Sequence, residues 1–122
     1  MKNNLENFGV GIDIIDIERI RKKKIEKNKN FYNNMFFKSE IDYCLKFKDP
    51  YPHFAGKFAI KESVIKSIEE DVGFLEILSN NTRNGPTVKL IRQKSKKYSF
   101  QVSVTHEKKY AVAVVISNRL KS

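Results

Sequence analysis

Two carboxylates, Asp13 and Glu62, stand where a charged side chain fits poorly into its surroundings. Asp13 lies between Ile12 and Ile14 in Phe8-Gly-Val-Gly-Ile-Asp-Ile-Ile-Asp16 and shares one strand face with Gly9 and Gly11. A carboxylate buried without a partner is costly. Asp13 therefore either turns to water or caps the next helix, or it meets a cation, a donor or a ligand. The bare backbone at Gly9 and Gly11 marks a place that something approaches closely. Glu62 lies at the margin of an apolar stripe, one turn from Phe58, with Lys66 four residues on. It reads either as half of a solvated Glu–Lys pair, worth about 0.2–0.5 kcal/mol, or as a working acid. Lys57 and Lys61 near the start of the same segment form either a solvated basic face or a place for phosphate. Gly56 beside them costs about 1 kcal/mol in a helix, which hints at close packing by another backbone or a ligand. His106 follows Ser103 and Thr105, where an imidazole with hydroxyl neighbours could donate to phosphate oxygens. No zinc-type Cys/His spacing and no Gly-x-x-x-x-Gly-Lys loop is present, which disfavours a zinc site and a P-loop nucleotidase. Cys44, with Ile41 and Leu45 on its face, reads as a buried thiol.

The elements that must position these residues follow from hydrophobic spacing. Phe8 to Asp16 alternates as a strand, with Val10, Ile12 and Ile14 on one face and Gly9, Gly11, Asp13 and Ile15 on the other; Asp16 is a helix N-cap. A basic helix is predicted over Ile17 to Lys29, then a polar, turn-prone stretch from Asn28 to Asn34. Glu40 to Phe47 predicts a short helix with Ile41, Cys44, Leu45 and Phe47 inward, ended by Asp49-Pro-Tyr-Pro52. A long central helix is predicted from about His53 to Glu70, because Phe54, Phe58, Ile65 and Ile68 recur at helical spacing. Phe74 to Leu78 and Thr87 to Ile91 predict strands joined through Asn84-Gly85-Pro86. A closing hairpin pairs Phe100 to His106 with Tyr110 to Ile116, the latter apolar on both faces like a covered strand.

The chain of 122 residues has room for a single domain, 1–122. Lys and Arg number 24 against 14 Asp and Glu, a net charge of +10 that favours an acidic partner. The single cysteine, Cys44, allows no internal disulfide, and the N-terminus has no signal-like apolar core, so the cytoplasm is expected. The longest apolar run, Ala111 to Ile116, is far short of the roughly 20 residues that span a bilayer.

Together these pieces resemble the holo-acyl-carrier-protein synthases, the small trimeric class of 4′-phosphopantetheinyl transferases, over nearly the whole chain. Three blocks match in order and spacing: Gly9-Val-Gly-Ile-Asp13-Ile with Arg19 opening a helix, Phe54-Ala-Gly-Lys-Phe-Ala-Ile-Lys-Glu62-Ser-Val-Ile-Lys66, and Val102-Ser-Val-Thr-His106 followed by Tyr110-Ala-Val-Ala. Asn84-Gly-Pro86 stands where the family usually has Gly-Lys-Pro. After the central helix the family commonly has Gly-Thr-Gly where this chain has Glu69-Glu-Asp-Val-Gly73, and Phe37 replaces a usual Ser or Thr cap, leaving Ser39 as a substitute.

The resemblance implies an α+β fold, an antiparallel sheet packed against a long central helix, assembled as a homotrimer with active sites between subunits. It implies transfer of phosphopantetheine from coenzyme A to a serine of apo-acyl carrier protein, releasing adenosine 3′,5′-bisphosphate. Asp13 and Glu62 would be the carboxylates that hold Mg²⁺ on the diphosphate. Glu62, directly or through a water, would also take the serine proton, and Lys66 would steady charge on the diphosphate. His106, Ser103, Thr105, Lys57 and Lys61 would contact coenzyme A. Arg19, Arg21 and Lys22 would dock the acidic helix of the carrier protein. Two other classes compete on composition. A basic nucleic-acid-binding module would use Arg21 to Lys29 and Arg92 to Lys97 on phosphates, but it gains nothing from acids in the ordered segments; a mere carrier-binding scaffold would be indifferent to Glu62→Gln.

Overall fold

The computed structural model describes residues 5–92 and 97–120. The chain begins with β1 (Phe8–Asp16), which runs straight into α1 (Ile17–Arg21) through the Asp16 cap; Asp16 Oδ1 accepts from Glu18 N at 2.9 Å. A 3₁₀ turn, Ile25–Lys27, leads to α2 (Lys29–Met35) and α3 (Lys38–Cys44). The central helix α4 (Tyr51–Ser67) follows, then the hairpin β2 (Ile77–Thr82) and β3 (Gly85–Leu90), and finally β4 (Lys97–His106) and β5 (Tyr110–Leu120). The strands form two antiparallel sheets, β1-β5-β4 and β2-β3.

The main sheet is two-faced, and its inner face is built from small side chains. Gly9, Gly11, Ala111, Ala113, Val115 and Ser117 point inward, so α4 lies close against β1 and β5. A Cβ on Gly11 would lie 1.8 Å from the Ser63 carbonyl oxygen, and one on Gly9 1.8 Å from that of Ser67. Ser63 Oγ donates to the Ala113 carbonyl at 3.1 Å and Ser117 Oγ to the Ser67 carbonyl at 2.8 Å, which satisfies polar groups at this tight seam. The other side of α4 meets a core containing Phe54, Ile60, Val64, Tyr32, Phe36 and Ile77.

The outer face of the same sheet is apolar and open. Ile12 pairs with Val114 and Val114 with Ser103; Ile14 pairs with Val112 and Val112 with Thr105; Val10 pairs with Ile116 and Ile116 with Gln101. Val10, Ile12 and Ile14 are 65%, 59% and 61% exposed.

Several sequence expectations are corrected by packing. The basic helix expected over Ile17 to Lys29 stops at Arg21, and the stretch expected to be turn-prone carries α2. In place of a continued helix, α2 folds back on α1: Tyr32 is buried, and its hydroxyl reaches the carbonyls of Ile20, in α1, and Lys23, in the turn after it. Because α3 ends at Cys44, Leu45 and Phe47 leave its periodicity and stand 48% and 38% exposed instead of inward. No side chain of Phe37 or Ser39 caps α3; the Glu40 carboxylate accepts from Phe37 N at 2.8 Å. The central helix begins two residues early, at Tyr51, with Pro52 in its first turn, and ends at Ser67. Phe74–Glu76 is a 3₁₀ turn rather than a strand start, and the hairpin turns at Gly85 with φ of +110°. Within the basic stretch Arg92 to Lys97, residues 93–96 lie outside the described residues.

Candidate functional site

The glycine seam sets the level at which Asp13 meets α4. Two residues after Gly11 on the inward face, Asp13 is left 15% exposed, and its Oδ1 accepts from Lys66 Nζ at 3.1 Å. The same ammonium donates to the Ile12 carbonyl at 3.1 Å, so Lys66 clips the helix to the strand at the acid. Glu62 lies one turn before Lys66 on the same helix face, immediately before Ser63, whose carbonyl faces Gly11; it is half-buried. The structure thus brings Asp13 and Lys66 together at the junction of β1 with α4, with Glu62 one helical turn before Lys66.

This donor set suits a particular kind of metal site. Among the described residues no group of three or more His, Cys, Asp or Glu could hold an ion by itself. Two carboxylates fit Mg²⁺, which commonly takes one or two protein carboxylates and completes its octahedron with phosphate oxygens and waters.

A second locus lies where the start of α4 meets the ends of β2 and β4. A cleft of about 350 Å³ is lined by Tyr43, His53, Lys57, Asn81, Thr105 and His106, among others. Asp13, Glu62 and Lys66 do not line it. The His53 ring stacks on Phe47 at a centroid distance of 3.6 Å and meets His106 edge-on at 5.3 Å. Burial, and then the neighbouring His106, pull His53 below its ordinary value. Lys57 Nζ donates to Ser79 Oγ at 3.0 Å and Asn81 Oδ1 at 2.8 Å, and burial pulls that ammonium down as well. Gly56 also lines the cleft, and a Cβ there would be 3.5 Å from Val104 Cγ2, an ordinary contact, so no backbone demands this glycine.

The phosphate-contact residues expected from the sequence separate in the fold. Lys57, Thr105 and His106 share the cleft. Ser103 lies on the outer sheet face with Thr105 and does not line it. Lys61 is corrected outright. Its side chain is 0% exposed, and its three donors go to Glu40 Oε1 at 2.8 Å, the Met35 carbonyl at 2.8 Å and the Phe74 carbonyl at 3.0 Å. No donor remains for a phosphate. The three docking residues also divide. Arg19 and Lys22 are exposed, whereas Arg21 is held by Glu18 at 2.7 Å and by both Asp49 oxygens at 2.8 and 2.7 Å.

Sequence reasoning missed His53, Tyr43 and Asn81 as cleft residues and Glu40 as a buried acid. Glu40 left a faint signal, since it falls four residues before Cys44 on the buried stripe of α3. Asn81 left none, because strand pairing alone brings it to the cleft.

A family model described as the 4′-phosphopantetheinyl transferase superfamily matches residues 9–115. A holo-[acyl-carrier-protein] synthase of Thermodesulfovibrio yellowstonii is 38% identical over 112 residues, covering 88% of this chain and 96% of that protein. One from Clostridium kluyveri is 40% identical over 120 residues, covering 89% and 88%. In structure, the chain is similar to Helicobacter pylori holo-[acyl-carrier-protein] synthase in complex with coenzyme A, with a TM-score of 0.76, 30% identity and coverage of 89% and 99%.

Proposed function

The chain belongs to the 4′-phosphopantetheinyl transferase superfamily, and from that membership we infer that it is a holo-[acyl-carrier-protein] synthase, moving phosphopantetheine from coenzyme A to a serine of apo-acyl carrier protein. The observation that carries the reading is the meeting of Asp13 with Lys66, one turn from Glu62, at the seam of β1 and α4.

In the transfer, the serine oxygen forms a bond to the β-phosphorus of coenzyme A. The bond from that phosphorus to the oxygen bridging the two phosphates breaks, and adenosine 3′,5′-bisphosphate leaves with the electron pair. Asp13 and Glu62 would hold Mg²⁺, which supplies charge neutralisation and alignment of the diphosphate when bound. Glu62 takes the serine proton. Lys66, bonded to Asp13 and 50% exposed, is positioned to stabilise charge on the leaving phosphate. Lys57, Thr105 and His106 contact coenzyme A from the cleft.

The acid cluster and the cleft are separate in one chain, which supports a homotrimer whose sites are completed between subunits. The open face carrying Val10, Ile12, Ile14, Val112, Val114 and Ile116 is the surface for that assembly. Arg19 and Lys22 take the acidic surface of the carrier, and Arg21 braces the loop before α4 through Asp49. No helix among the described residues is long and apolar enough to cross a membrane. We place the reaction in the cytoplasm, where a lone buried thiol such as Cys44 stays reduced.

The test is incubation with coenzyme A, Mg²⁺ and apo-carrier protein, read by mass spectrometry of the carrier. The expected result is a gain of one phosphopantetheine, abolished by chelator and by Asp13→Asn or Glu62→Gln. A carrier unchanged in mass across several apo-carriers overturns the reading.

A further inference from the structure

A continuous buried network runs from α3 through β2 to the floor of the cleft. Glu40 is 1% exposed, and its Oε1 accepts from Lys61 Nζ while its Oε2 accepts from Ser79 N at 2.9 Å and Ser79 Oγ at 2.6 Å. Having donated its own proton to Glu40, the Ser79 hydroxyl has only lone pairs to offer, and Lys57 Nζ donates to it at 3.0 Å. The carboxylate thereby fixes which way the hydroxyl points, and the hydroxyl fixes the ammonium.

Charge within the network does not cancel. Two buried ammoniums, Lys57 and Lys61, face one carboxylate, and Lys61 is the one in direct contact with it. Lys57 is held by neutral groups, Ser79 Oγ, Asn81 Oδ1 and the face of Tyr43 at 4.8 Å. It is 5% exposed, uses two of its three donors on these partners, and lines the cleft. A buried cation whose nearest carboxylate, Glu40, is a hydroxyl away and already paired with Lys61 is costly unless something supplies a second anion.

We propose that Ser79 and Glu40 are positioning residues that aim Lys57 at a phosphate of the nucleotide half of coenzyme A, with that phosphate completing the charge balance of the network. The proposal rests on the transferase reading above for the identity of the ligand. It adds two buried residues that touch no substrate: Ser79 reaches the ligand through Lys57, and Glu40, which also holds Lys61, reaches it through Ser79.

The experiment is a double-mutant cycle on nucleotide affinity, read by calorimetry with adenosine 3′,5′-bisphosphate, in wild type, Ser79→Ala, Lys57→Ala and the double variant. Loss of a hydrogen bond to a charged group weakens binding by about 10-fold or more, so Ser79→Ala is expected to lose about 10-fold and Lys57→Ala at least as much. The double variant is expected to match Lys57→Ala within about twofold, because Ser79 has nothing left to aim. In turnover, Ser79→Ala is expected to raise KM for coenzyme A while kcat changes little. Ser79→Cys keeps a side-chain donor and acceptor at the position in a slightly larger group, weakens both, and is expected to lose an intermediate amount; it serves as the readout if Ser79→Ala does not fold. Multiplied losses in the double variant, or wild-type affinity in the Ser79 variants, overturn the proposal. Nucleotide binding is read without transfer, so the two readings fail separately: a coupled cycle with no modified carrier removes the transferase reading alone, and intact transfer with independent losses removes the positioning role alone.

Discussion

Gly11→Ala probes the seam on which the site depends. The added Cβ would lie 1.8 Å from the Ser63 carbonyl oxygen and 2.7 Å from its carbon, both main-chain atoms that cannot rotate away. Ordinary carbon–oxygen contacts are about 3.3 Å or longer, so β1 and α4 must part locally by roughly 1.5 Å. Overpacking of this kind costs about 1–3 kcal/mol and occasionally more, against a total stability of about 5–15 kcal/mol. The displacement also pulls Asp13 from Lys66, whose 3.1 Å bond has no slack to spare. A misplacement near 1 Å is worth about 100-fold in rate. Urea denaturation and the carrier mass-shift assay should therefore both register the change, with turnover falling about 100-fold in protein that is still folded. Gly56→Ala is the control for stability alone, since Gly56 lines the cleft: within the protein its Cβ would meet only Val104 Cγ2 at 3.5 Å, and the helix gains about 0.8–1.0 kcal/mol of propensity. Wild-type stability and wild-type turnover in Gly11→Ala would refute the claim that close approach of β1 to α4 sets the acid geometry.

Lys61→Met is expected to cost about 3–5 kcal/mol by leaving Glu40 buried and uncompensated, with partial recovery in the double variant Lys61→Met, Glu40→Gln; unchanged stability with lost coenzyme A affinity would return Lys61 to the ligand. Val10→Glu, on a residue 65% exposed in the single chain, is expected to leave the monomer folded and to abolish the trimer and its activity together, read by light scattering and mass shift; an active monomer contradicts the intersubunit site. Burial first, and then His106 and Lys57 against an opposing pull from Asp49, hold His53 below its ordinary 6.5 in the folded chain. The unfolded chain thus binds its proton first, and stability should fall as pH drops below about 6.5; His53→Phe should flatten that slope, and an unchanged slope would place the titration elsewhere.

Local order near the acids was legible because it is written in neighbouring residues. The strand at Phe8 to Asp16, its glycines, its cap at Asp16 and the closing hairpin all have the spacing expected of them. The central helix was legible in extent but not in face, since its buried set includes Lys57, Lys61 and Ser63 as well as the apolar stripe. Lys61 misled for a physical reason. A lysine near a helix start looks like a phosphate contact until Glu40, 21 residues away in sequence, is found to meet it in the interior. Arg21 misled in the same way, because Asp49 comes to it from 28 residues away. The break after α1 left no mark in the spacing, since Ile17, Ile20 and Ile25 suit one helical face; the burial of Tyr32 against the end of α1 is a tertiary contact. The cleft was half legible: His106 and Lys57 lie in blocks with recognisable chemistry, while Tyr43, His53 and Asn81 reach it only through the packing of α3, α4 and β2.

The most direct measurement is anomalous scattering from Mn²⁺ in crystals grown with coenzyme A. The expected result is one strong peak per site, about 2 Å from a carboxylate oxygen of Asp13 and of Glu62 and touching the diphosphate, with Lys57 and His106 of an adjoining subunit on the nucleotide. A peak at other residues, or two carboxylates that no ion bridges in any pair of adjoining subunits, contradicts the account.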